Sequence, residues 1–230
     1  MDAREVLAWL ERRGTKRNVE GLQRYGIVAK QAFGVPVREL RKLARQLGRD
    51  HALAAQLWKT GRYEARMLAT MVDDPAQVTR QQMEAWAKDF DNWALCDTAC
   101  FCLFDRSPLA WKQVRRWARS PREFSKRAAF ALLASLAGHD KAAADEGFLA
   151  LLPLCEETAT DERNFVKKGV SWACAAWATA APPCTPPSWR WPGAWPRPTR
   201  RPRAGWAGTP CATCSGRWSW PSSSARPGAS

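Results

Sequence analysis

The stretch KDFDNWALCDTACFCLFDRSP, residues 88–108, holds the residues best suited to chemistry. Asp97 lies inside a run of Trp93, Leu95, Cys96, Ala99, Cys100, Phe101, Cys102, Leu103 and Phe104 that leaves hardly any polar face, the pattern of a helix buried mid-fold. A carboxylate there is costly unless partnered, and such groups are over-represented at functional sites. Asp97 follows Trp93 by four residues, so indole and carboxylate share one helical face. The alternative is structural: Asp97 caps a neighbouring helix or pairs with an arginine.

Helices must position these residues. Ala3, Val6, Leu7 and Leu10 recur at helical spacing, as do Val37, Leu40, Ala44 and Leu47. Val19, Leu22 and Tyr25 predict a second helix, ended by GIVAKQAFGVP. Further helices fit His51–Thr60, Tyr63–Val72, Thr79–Phe90, Asn92–Phe104, Leu109–Arg119, Glu123–Ala137, Ala142–Cys155 and Glu162–Trp172, with Asp91 or Asn92 as the N-cap before Trp93. DDP, DRSP, RSP and GHD punctuate them, and no period-2 strand is evident. Short helices in pairs suit an all-α bundle or, better, a HEAT-type solenoid with a concave binding face.

Charge points to a polyanion. The chain of 230 residues has a formal net charge of +14. Residues 174–230 hold seven Arg and no acid, so residues 1–173 keep 29 of the 36 basic residues and all 22 acids, a net of +7. Residues 111–127, WKQVRRWARSPREFSKR, carry seven basic side chains against Glu123 alone, and Arg163, Lys167 and Lys168 form another cluster beside Trp172. These predict salt-sensitive, sequence-independent phosphate contact, against the alternative of a solvated basic surface. No apolar run approaches the roughly 18–20 residues that span a bilayer, and the charged N-terminus is unlike a secretory signal. A cytoplasmic protein is expected, with its body cysteines as reduced core thiols. His51 and His139 lie far apart with no nucleophile motif nearby, the phosphate-binding glycine loop is missing, and CATC at 211–214 is a lone C-x-x-C. No metal or organic cofactor is expected.

YEARMLATMVDDP, NWALCD, SKRAAF and NFVKKGVSW, in this order, resemble the DNA alkylation repair (AlkD-like) family of HEAT-like-repeat glycosylases, over about residues 5–173. The resemblance implies an all-α superhelix of antiparallel helix pairs that cradles duplex DNA and excises cationic N3- or N7-alkylated purines. It places Trp93, Asp97 and Trp172 near the lesion's deoxyribose, Arg127 on a phosphate, and Tyr25, more loosely, at the N-terminal aromatic position. Lys126, Arg163, Lys167 and Lys168 join the expected DNA contacts, and a monomer is expected. An alkylated purine leaves as a neutral base, so one carboxylate opposite the oxocarbenium-like sugar suffices. Alternatives are a non-catalytic DNA binder of the same architecture and a helical protein–protein scaffold.

Residues 174–230 use only Ala, Cys, Gly, Pro, Arg, Ser, Thr and Trp, the amino acids whose codons carry C or G at the second base. A GC-rich gene read out of frame satisfies that rule over 57 residues; an ordinary protein does not. In the shifted frame every Cys and Trp stands for Leu, Val or Met. Cys174, Trp177, Cys184, Trp191 and Trp195 follow at intervals of 3, 7, 7 and 4, the spacing of amphipathic helices. A basic aromatic arm and a disulfide module are the alternatives. The domain is therefore expected at 1–173, with an out-of-frame tail at 174–230 that is disordered from about residue 182.

Overall fold

A computed structural model describes residues 1–29, 31–139 and 145–180. These belong to a compact unit spanning Met1–Trp189; the second unit, Arg190–Ser230, and the expected disorder beyond 182 lie outside the described residues.

The helices are α1 (Ala3–Arg13), α2 (Lys16–Gln23), α3 (Val37–Leu47), α4 (His51–Lys59), α5 (Tyr63–Val72), α6 (Arg80–Lys88), α7 (Trp93–Cys102), α8 (Ala110–Trp117), α9 (Glu123–His139), α10 (Asp145–Leu149), α11 (Leu152–Thr158) and α12 (Asn164–Ala180), with a 3₁₀ turn at Phe104–Arg106. No strand occurs among the described residues. Short polar side chains start several of them: Asp2, Thr15, Asp50, Thr79 and Asn92 each accept a hydrogen bond from a backbone amide of the first turn. At α7 the cap is Asn92, whose Oδ1 accepts from the Leu95 amide at 2.9 Å.

An inner row runs through the fold: α3 packs on α5, α5 on α7, α7 on α9 and α9 on α12. On its other side α4 packs on α5, α8 on α9 and α11 on α12. This ladder explains the sequence pattern. Helix α9 is touched by α7, α8 and α12, so its residues from Arg127 to Leu136 are all buried. Helix α3, which packs chiefly on α5, is amphipathic and buries Leu40 and Leu43 alone. Between α4 and α6 the Trp58 and Trp86 rings stack at 3.9 Å, and the Trp58 indole donates to Asp89 at 2.8 Å.

The sequence expectation differs at three places. Tyr25 does not continue α2: Gly26, at φ +68°, turns the chain and leaves Tyr25 exposed just beyond the helix. The single helix expected over Ala142–Cys155 ends at Leu149, and α11 begins at Leu152. Pro153 is the cause, because it has no N–H for the Leu149 carbonyl and its ring crowds that position. The helix expected over Glu162–Trp172 starts two residues later and runs on to Ala180, with Cys174 and Trp177 half-buried against the core. Cys96, Cys100 and Cys155 are buried free thiols, as expected, and Cys102 is half-buried.

Candidate DNA-facing site

One face of α7 carries Trp93, Asp97 and Phe101 at successive turns. Trp93 is half-buried at the helix start, and its indole Nε1 donates to the Tyr25 carbonyl at 2.8 Å. One turn on, Asp97 is 3% exposed. A further turn on, the half-buried Phe101 meets Trp172 of α12 edge to face, with centroids 4.8 Å apart and planes at 79°. Trp93 and Asp97 thus share one face of α7, and Trp172 of α12 meets the end of that face through Phe101.

Asp97 is held by Arg127. The guanidinium Nε donates to Oδ1 at 2.8 Å and NH2 to Oδ2 at 2.7 Å, while NH1 donates to the Phe165 carbonyl at 2.9 Å. Arg127 is only 6% exposed, at the point where α7, α9 and α12 converge. Its two parallel bonds to a carboxylate form a bidentate pair, the geometry that best compensates two buried charges. Burial pushes the Asp97 carboxyl up, and the charge and hydrogen bonds of Arg127 oppose that rise. Burial acts against the guanidinium too, but Asp97 outweighs it and holds Arg127 above its ordinary value. The pair is ionic.

Two thiols seal the same seam. Cys96 donates to the Phe124 carbonyl at 3.4 Å and Cys100 to the Ala128 carbonyl at 3.5 Å, fixing the register of α7 on α9. Burial raises the Cys100 thiol well above its ordinary value, which leaves it inert as a nucleophile.

The remaining expected DNA contacts divide by surroundings. Lys126 and Arg163 converge on Asp161: Lys126 Nζ lies 3.2 Å from Oδ2, and Arg163 reaches Oδ1 at 2.9 Å and Oδ2 at 2.5 Å. Arg163 also donates to the Pro121 carbonyl at 2.7 Å. Lys167 is exposed and pairs with Glu162 at 3.3 Å, and Lys168 is exposed. Of the basic run at 111–127, Lys112, Arg115, Arg116, Arg119 and Arg122 are exposed, Lys126 is half-buried and Arg127 alone is buried. Arg116 bonds Glu84 at 2.6 Å, and Arg122 donates to the Lys88 carbonyl at 3.4 Å. The fold therefore presents a charged rim on α8 and the start of α9.

The sequence over residues 6–184 matches the model of a family described as DNA alkylation repair enzyme. The chain belongs to that family. Among solved structures, one reported as belonging to a new family of proteins related to the HEAT-like repeat DNA glycosylases, with affinity for branched DNA structures, superimposes with a TM-score of 0.71. It shares 21% identity over 78% of this chain and 77% of its own. At that identity the likeness establishes the fold, a HEAT-like repeat array, for this DNA alkylation repair family member. No curated protein sequence matches the chain significantly.

Three features of the site escaped sequence reasoning. Phe101 carried a usable signal, since it lies four residues beyond Asp97 and eight beyond Trp93. Asp161 carried a weaker one, two residues before Arg163. The Trp93–Tyr25 contact joins residues 68 apart, and no local pattern encodes it.

Proposed function

We propose that this family member is a DNA glycosylase that hydrolyses the N-glycosidic bond of cationic N3- or N7-alkylated purines in duplex DNA. The observation that carries the reading is the buried Asp97–Arg127 pair between Trp93 and the Phe101–Trp172 contact. Each carboxylate oxygen has two acceptor sites, and Arg127 takes one on each. The other sites remain to face a sugar that gains positive charge as the neutral base departs, and to orient a water molecule towards it. Arg127 fixes the plane of the carboxylate, so it acts on DNA through Asp97 more than through a phosphate. Trp93 and Trp172 supply electron-rich walls for the cationic nucleotide, at about 0.5–2 kcal/mol per contact. The rim cations Arg115, Arg119 and Arg122, together with Lys168 of α12, hold the backbone, with Lys126, Arg163, Lys167 and Tyr25 at its margin.

A second reading is favoured by the same pair. A bidentate bond that satisfies a buried acid is also what a purely structural Asp97 makes, and a HEAT-like array of that kind binds DNA without cutting it. Release of 7-methylguanine from methylated duplex DNA separates the two. The native protein should release it, and Asp97→Asn should stop release while duplex binding persists, at a temperature where its melting curve shows it folded. No release by the native protein leaves the binding reading, and release by Asp97→Asn at the native rate sinks the assignment of the chemistry to Asp97. Binding that ignores salt sinks both.

A further inference from the structure

Glu64, the second residue of α5, is a buried carboxylate that the proposed chemistry does not use. It is 1% exposed, and among the described residues no cation pairs with it. Instead its oxygens take three consecutive backbone amides: Phe33 at 2.8 Å, Gly34 at 2.6 Å and Val35 at 3.2 Å. Three converging N–H groups supply the donor partners a buried carboxylate needs.

Those amides belong to a loop that cannot move independently. Gly34 sits at φ +83°, and a Cβ there would fall 2.2 Å from the Thr15 carbonyl. Its own carbonyl accepts from the Thr15 amide at 3.2 Å and from Asn18 Nδ2 at 2.9 Å. Both donors belong to the N-terminal end of α2. This matters because none of the residues of α2 is fully buried and only the half-buried Leu22 packs on the core, so the polar bonds at its two ends help to locate the helix. At the far end of α2, the Leu22 carbonyl accepts from the Tyr25 amide at 3.0 Å, and the Tyr25 carbonyl holds the Trp93 indole at 2.8 Å.

The connections form one line: Glu64 to Gly34, Gly34 to the start of α2, the end of α2 to Tyr25, and Tyr25 to Trp93. We propose that Glu64 is a positioning residue for the Trp93 wall of the DNA-facing site, acting through the Gly34 peptide and α2 and touching no nucleotide itself. The role assigned to Trp93 rests on the function proposed above; the linkage from Glu64 to the indole does not.

The linkage is read by hydrogen exchange at the indole Nε1–H of Trp93 in the full chain, followed by NMR and assigned with Trp93→Phe. Glu64→Gln keeps the size but offers one acceptor oxygen and a donor to three amides. It should speed exchange of the Trp93 indole by about tenfold or more, the scale of one lost charged hydrogen bond. The control is Asp73→Asn, which removes another fully buried carboxylate, bonded to Gln82 and His51, at the opposite end of α5. It should lower the melting temperature and leave Trp93 unchanged. Should Glu64→Gln fail to fold, Asn18→Ala removes a single bond of the same line and should move the indole in the same direction. A folded variant of either kind whose Trp93 exchange matches the native protein overturns the proposal. Absence of base release by the native protein would count against the glycosylase and leave the exchange result standing.

Discussion

Arg127 grips Asp97 with two nitrogens at 2.7 and 2.8 Å and uses its third on the Phe165 carbonyl, so a single guanidinium ties α7, α9 and α12 together. The candidate acid of the site is therefore also a structural joint. Chemistry and stability meet on the same two residues, and each can be measured apart from the other.

Removing either partner leaves an uncompensated buried charge. Arg127→Ala and Asp97→Asn should each lower unfolding free energy by about 3–5 kcal/mol in urea denaturation. The double change Asp97→Asn with Arg127→Ala should cost less than the sum of the two, with a coupling of about 1 kcal/mol or more. Additive losses would mean that the two side chains do not pair in solution.

The rim makes a separate prediction through Asp161, which holds Lys126 and Arg163. Asp161→Asn releases both cations and removes a negative charge. If they border the DNA path, duplex affinity rises and the slope of log K against log salt steepens by about 0.9 for each new phosphate contact. Lys168→Ala should flatten that slope by about the same amount. Fluorescence anisotropy with a labelled duplex at several salt concentrations decides both.

The same acid predicts a pH effect. The Arg163 hydrogen bond, with help from the Arg163 amide and Lys126, holds the Asp161 carboxyl well below the usual carboxylate range. A group whose folded value is depressed stabilises the fold fully above its unfolded value, about 3.9, and loses that contribution as pH falls through the folded value. Acid denaturation of Asp161→Asn should accordingly differ from the native protein above pH about 4 and converge with it at lower pH. A constant difference across that range would contradict the depressed carboxyl.

How far the site could be read from sequence depends on whether its contacts are local. Asp97 on a buried face was legible because the residues around it are apolar on every side, and Trp93 followed from the four-residue interval. The inward turn of Arg127 was not obvious within a run of seven cations. Its one distinguishing mark is that it opens the uninterrupted small and apolar stretch RAAFALLASLA, where a long side chain has no solvent to reach. Tyr25 was placed on the helix by its spacing from Leu22, but Gly26 after it carries the opposite signal and prevails. Pro153 likewise outweighs the apolar periodicity across residues 142–155. The line from Glu64 to Trp93 spans three separate segments, and only the folded chain brings them together.

Two glycines near the site should respond oppositely to the same substitution. At Gly34 a methyl group meets the Thr15 carbonyl at 2.2 Å and Val19 Cγ2 at 2.9 Å, on a backbone at φ +83°. Gly34→Ala combines steric overlap with a left-handed backbone, and strain of the second kind alone costs of order 1–3 kcal/mol. At Gly169, inside α12, a Cβ would lie 3.5 Å from Arg127 Cγ and Phe130 Cβ, ordinary contact distance. Gly169→Ala gains the helix propensity of alanine, up to about 1 kcal/mol, without disturbing the Arg127 side chain. Thermal denaturation should therefore show a lower melting temperature for Gly34→Ala and an equal or higher one for Gly169→Ala. A large loss at Gly169 would mean that α12 packs closer to Arg127 in solution than the 3.5 Å contact allows.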